Sequence, residues 1–99
     1  MLAVIGSFRL PPDQQAEAIA ELQRVVAETL KEPGCLAYSY AEDIGEPGLF
    51  RVTELWTTRA ALEVHFTTPH MRHWAEIRPT LGFHDRHVMA YPLGDGEQL

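Results

Sequence analysis

Three sets of side chains in this sequence have the types and spacing for chemistry. Glu54-Leu55-Trp56 ends an alternating run, and the short stretch Ala60-Ala61-Leu62 then delivers His65. A carboxylate, an indole and an imidazole are thereby gathered at one strand-to-helix junction. An imidazole takes or gives a proton near neutral pH, and an indole offers a flat apolar surface to an aromatic ligand. Tyr38 and Tyr40 form the second set, hydroxyl donors spaced for one face of a strand. The histidines His70-x-x-His73 and His84-x-x-His87 form the third. On a helix the first pair presents neighbouring rings and, with one strand histidine, has the donors for a metal ion. Strand alternation sends His84 and His87 to opposite faces, so that pair does not share an ion.

The elements that must hold these groups follow from periodicity and punctuation. Leu2 to Leu10 reads as a strand stopped by Pro11-Pro12, with Asp13 as a helix N-cap. Ala16, Ile19, Leu22, Val26 and Thr29/Leu30 recur at helical spacing, which predicts a long amphipathic helix ended by Pro33-Gly34. Cys35 to Asp43 alternates, with Leu36, Tyr38, Tyr40 and Glu42 on one face and Cys35, Ala37, Ser39 and Ala41 on the other. Across the turn Gly45-Glu46-Pro47-Gly48, Leu49 to Trp56 puts Phe50, Val52, Glu54 and Trp56 on one face of a hairpin partner. Thr57-Thr58 caps a short helix over about Arg59 to Phe66, with Leu62, His65 and Phe66 on its apolar side. Thr68-Pro69 opens another helix with Met71, Trp74, Ala75 and Ile77 inward. Phe83 to Tyr91 is a last strand, and the chain reads as one domain over residues 1–92 with a polar tail, 93–99. The order β-α-β-β-α-α-β, with helices on one face of a four-stranded antiparallel sheet, is ferredoxin-like α+β.

Composition excludes several roles. A formal charge of −6, from 14 acids and 8 bases with no basic cluster, opposes binding to nucleic acid or an anionic membrane. No apolar run approaches a membrane span and no leader pattern opens the chain, so the expected location is the cytoplasm. Cys35 is the single cysteine, which rules out an internal disulfide and a cysteine zinc cage and reads as a small buried thiol. Structural roles stand beside the chemical ones. Trp56 and Trp74 suit a core, His65 suits a buried hydrogen bond, and Glu54 on an apolar face must be paired, protonated or hydrogen-bonded, with Tyr38 or Arg86 as partner.

Glu32-Pro33-Gly34-Cys35-Leu36-x-Tyr38, Glu54-x-Trp56-x₃-Ala60-Ala61-Leu62-x₂-His65, Thr68-x-His70 and Trp74 together resemble the antibiotic biosynthesis monooxygenase domain family, from Leu2 to Tyr91. The resemblance implies a dimeric α+β barrel, in which two sheets meet face to face and each encloses a ligand cavity with its own helices. It also implies oxygenation of dihydroxyaromatic or anthrone-like compounds without a cofactor, the deprotonated substrate itself supplying electrons to dioxygen. On this expectation the partners are a small aromatic or quinol-like molecule and a second copy of the chain. His65 is then the base and Tyr38 the catalytic donor. Trp56, Phe66, Trp74 and Phe83 form an aromatic slot, with Tyr40 and Glu54 beside it and His70 at its mouth. The family's well-described oxygenases place an asparagine beside the substrate, and this chain contains none. The donor role therefore falls to other groups, and the haem-degrading branch fits less well. The same base without oxygen would serve isomerisation or tautomerisation of a small carbonyl metabolite. A dimer that binds a ligand without turning it over is the third reading.

Overall fold

The computed structural model describes residues 1–99 and runs β1 (Leu2–Arg9), α1 (Gln15–Thr29), β2 (Cys35–Glu42), β3 (Leu49–Trp56), α2 (Arg59–His65), α3 (Pro69–Ile77) and β4 (His84–Pro92). Single 3₁₀ turns at Pro12–Gln14 and Arg78–Leu81 precede α1 and follow α3. All strand pairs are antiparallel, in the order β2-β3-β1-β4. Each long crossover, β1 to β2 and β3 to β4, leaves one strand between its ends, which is the split βαβ pattern of the expected ferredoxin-like fold.

The core lies between the sheet and its helices. Val4, Phe8, Phe50, Val52 and Trp56 meet Ala18, Leu22 and Val25 of α1, Leu62 of α2 and Trp74 of α3. Burying each large side chain stabilises the fold by roughly 1.5–3 kcal/mol. The stripe that α1 buries is Ala18, Leu22, Val25 and Thr29, rotated from the expected one. Ile19 and Leu30 are exposed and Val26 is half-buried. Asp13 does not cap α1. The chain enters through the 3₁₀ turn, and the N-cap is Gln14 without a side-chain hydrogen bond. In α3, Trp74 is buried but Ala75 faces solvent.

Two bulges overturn strict alternation. Cys35 pairs with Trp56 and Ala37 with Leu55, so β2 spends an extra residue at Leu36, which is turned outward. Cys35 and Tyr38 therefore both face the helices. The thiol is partly buried, and burial beside Glu32 and Glu54 pushes it further toward the unreactive protonated form. In β4 the register passes from Ser7↔His87 to Arg9↔His84, with Asp85 at φ 51° in the left-handed region. His84 and His87 consequently share the sheet face opposite the helices, and the expectation that they point apart is wrong. On that outer face Ile5, Met89 and Tyr91 are exposed. These exposed apolar side chains lie on β1 and β4. No helix is long and apolar enough to cross a membrane.

Candidate active site

His65 is positioned by the turns on either side of its helix. Thr58 caps α2, its hydroxyl accepting from the Ala61 amide at 3.1 Å. Thr68 caps α3 and donates to the His65 carbonyl at 2.7 Å, with Pro69 at the first helical position. The chain therefore reverses just after His65 and brings His70 back toward it. Opposite lies the turn from α1 into β2. Gly34 there has φ 85°, and a Cβ on it would fall 2.6 Å from the Ala61 Cβ. Only glycine lets α2 approach this turn so closely, and Thr57 N–H seals the contact by donating to the Gly34 carbonyl at 2.9 Å.

The approach delivers Glu32. Its Oε2 lies 2.7 Å from His65 Nδ1 and 2.8 Å from His70 Nε2. A carboxylate has only acceptors, so both ring nitrogens carry the proton and donate. His65 is 1% exposed as a side chain, and burial pushes its imidazole below the ordinary range despite the pull of Glu32. A neutral ring protonated on Nδ1 leaves the Nε2 lone pair free. Such a carboxylate fixes the tautomer of a base. Glu32 Oε1 is buried with no hydrogen-bond partner. The ligand atoms of Glu32, His65 and His70 lie within 4.8 Å of one another, a donor set that also suits a divalent transition ion. His73 instead turns to Glu21 at 3.7 Å, so the metal grouping built on His70 and His73 does not form.

His65 looks into a cavity of about 60 Å³ between sheet and helices, lined also by Tyr38, Tyr40, Glu54, Trp74 and Phe83. The tyrosine hydroxyls are 3.0 Å apart. Burial raises both phenols, Tyr40 to about 12, so both remain protonated donors. Trp56 Nε1 donates to Glu54 Oε1 at 2.9 Å, which makes the indole, not Tyr38, the direct partner of this carboxylate. Burial pushes Glu54 up to about 7 against the pull of Trp56 and Arg86. The space is smaller than the roughly 150 Å³ cavity that takes benzene. A ring therefore needs the rim displaced, where Phe66 and Arg86 are exposed. A larger open groove of about 500 Å³ beside α1, at Ile19, Leu22 and Val26, has no cluster of titratable groups, and chemistry favours the smaller space.

The model of the family described as "Antibiotic biosynthesis monooxygenase" matches residues 1–77. The chain belongs to this family. It is 34% identical over 98 residues to the uncharacterised Synechocystis protein sll1783, covering 99% of this chain and 67% of that one. It is 31% identical over 86 residues to the "Probable quinol monooxygenase YgiN" of Escherichia coli, covering 77% of this chain and 83% of YgiN. A crystal structure from Deinococcus radiodurans, described as a candidate antibiotic biosynthesis monooxygenase, superposes with a TM-score of 0.94. It shares 26% identity and covers 100% of this chain and 98% of its own.

In this family member, seven of the nine side chains expected at the site line the cavity: Tyr38, Tyr40, Glu54, His65, Phe66, Trp74 and Phe83. Trp56 and His70 do not. Trp56 is fully buried behind Glu54, its ring centroid 4.8 Å from that of His65. His70 sits behind His65 on Glu32 rather than at the cavity mouth. Sequence reasoning missed Glu32 as the partner of His65 and Arg78 as cavity lining, and it had Arg86 only as a candidate partner of Glu54. Glu32 was visible only as part of a recognisable motif, because it meets His65 across 33 residues. Arg78 carried no signal, since the last turn of a helix is an ordinary place for an arginine.

Proposed function

We propose that the chain is a monooxygenase of small quinol-type aromatics, with His65 as the base. The observation that carries this reading is the Glu32–His65 pair at 2.7 Å, which holds Nδ1 protonated in a ring that lines the cavity. Nε2 of that neutral ring takes the phenolic proton. Tyr38 and Tyr40, which keep their own protons, donate to the resulting oxyanion in place of the missing asparagine. The deprotonated quinol is the reductant and dioxygen the oxidant. One oxygen atom enters the ring to give a hydroxyquinone and the other leaves as water, which balances a hydroquinone plus dioxygen.

The name of YgiN supports the quinol class, and the aromatic walls Trp74 and Phe83 suit a planar ring. Quinols are added anaerobically with a chelator present, and an oxygen pulse follows. Oxygen uptake with hydroxyquinone formation is expected, and its near-complete loss in His65→Gln. A full rate in that variant, or no uptake across a broad quinol panel, would sink the reading.

A homodimer completes the proposal. All three helices lie on one side of the sheet, and Ile5 beside Met89, with Tyr91, leaves the other side apolar and open. A second copy applied to that face is the self-complementary cover. Light scattering on the eluting protein should give twice the chain mass, and Ile5→Asp should give the monomer.

A further inference from the structure

We infer that the cavity binds its ligand as an anion, taking an oxyanion substituent of the ring between Arg78 and Arg86. This rests on the quinol-type reading for the ring that carries the charge. Both arginines line the cavity that His65 and Tyr40 share. Neither makes an ion pair or a hydrogen bond within the protein, although acids outnumber bases by 14 to 8. Arg9, Arg24, Lys31, Arg51 and Arg59 each meet a carboxylate at 2.7–3.5 Å. Arg72, on the solvent side of α3, is the other basic side chain without a partner.

The two guanidiniums are also close enough to disfavour each other. Burial first, and then Arg86, holds Arg78 below the ordinary arginine range. Placing like charges together around an unfilled space destabilises the empty protein, and an anion between them reverses the effect. Arg86 points inward because it alternates with Val88 along β4, both lining the cavity, whereas the bulge at Asp85 turns His84 to the outer face. The opposing negative charge is small. Glu54 is the carboxylate in the lining, and burial holds it near half protonation at neutral pH. A planar guanidinium pairs with a carboxylate or phenolate edge through charge-assisted hydrogen bonds. The ligand class is thus a small aromatic bearing a carboxylate or an acidic phenol or enol.

The test uses 2,5-dihydroxybenzoate and its neutral amide, which share one ring. Binding to the full chain is measured anaerobically by calorimetry at fixed pH. The carboxylate is expected to bind about tenfold tighter than the amide, the worth of one charged hydrogen bond. Arg86→Gln, at an exposed side chain that leaves the fold intact, and Arg78→Gln should each bring the ratio toward one. An acidic nitrophenol that binds with the same dependence on Arg86 assigns the site to phenolates as well as carboxylates. Equal affinities in the parent protein, a preference that survives in both variants, or no binding of either probe at millimolar concentration overturns the inference. Turnover is not read, so a protein that prefers the anion but consumes no oxygen keeps the anion site and loses the oxygenase reading.

Discussion

The two ends of the cavity are built in opposite ways. At the inner end His65 and His70 both donate to one oxygen of Glu32, at 2.7 and 2.8 Å, in a pocket that excludes solvent from His65. At the outer end Arg78 and Arg86 face the same space with no partner. A group whose protonation state and orientation must be fixed before a ligand arrives gains from a permanent hydrogen bond. A group that must meet the ligand's charge loses binding strength if the protein satisfies it first. The contrast therefore separates preparation of the base from capture of the substrate.

Glu32→Gln is the strongest way to break that contrast. It keeps the shape but replaces an acceptor of two hydrogen bonds from imidazole, so stability should fall by roughly 3 kcal/mol. With the ring no longer held, oxygen uptake should fall about a hundredfold. Arg86→Gln should leave stability within about 0.5 kcal/mol and raise KM for an anionic quinol more than it lowers kcat. Thermal melts and steady-state kinetics on both variants compare the ends directly. Equal losses in both would mean that the division of labour is wrong.

Glu54 lies between the ends, and its effect is read from pH. Its carboxyl titrates at about 7 in the fold against an ordinary 4.5. Between these values the folded form keeps a proton that the unfolded chain has released. Stability therefore falls as pH rises through that window and levels off above it, by roughly 3 kcal/mol in all. His65 acts in the opposite sense, because a ring held neutral by burial loses stability as pH falls below the ordinary imidazole range. Glu54→Gln retains an acceptor for Trp56, so it should match the parent near about pH 4 and exceed it above about pH 7 in denaturant titrations. A variant that is less stable at every pH would show that the carboxylate, and not its burial, is what the site needs.

The element order was legible because each element advertises itself locally. Pro11-Pro12, Pro33-Gly34, Thr58 and Thr68-Pro69 punctuate the chain, and outside the two bulges the stretches between them keep one period. Seven cavity residues were legible for the same reason, since period fixes the face. What was not legible was whatever depends on a register shift or a long loop closure. An extra residue at Leu36 puts Cys35 and Tyr38 on one face, and Asp85 does the same for His84 and His87. No local rule announces either bulge. Glu32 meeting His65 and Arg78 facing Arg86 are contacts between separate elements, which periodicity within one element does not encode.

Gly34 tests how the inner end is assembled. Its φ of 85° and the 2.6 Å at which an added Cβ would meet the Ala61 Cβ together predict that Gly34→Ala costs about 2–3 kcal/mol, from backbone strain and from forcing α2 off the turn. Because the displaced helix carries His65 away from Glu32, activity should fall with stability. If the variant melts lower but keeps its rate, the Glu32–His65 contact tolerates more movement than a fixed base would.

Thr68 predicts the smallest effect and sharpens the comparison most. Its hydroxyl accepts from the Met71 amide at 3.4 Å and donates to the His65 carbonyl at 2.7 Å, so it holds the backbone of the residue whose ring Glu32 holds. Thr68→Val keeps the branched shape and deletes both bonds together with the 3.3 Å contact to His70 Nε2, and loss of an N-cap costs about 1 kcal/mol. If the carboxylate alone fixes the base, the rate should change by less than about threefold, because a cap acts on helix stability and leaves the ring's partner in place. A loss as large as that in Glu32→Gln would move the decisive constraint from the imidazole to the turn beneath it. The inner end would then be prepared by its backbone, and the carboxylate would serve to bury two histidines without an unpaired donor.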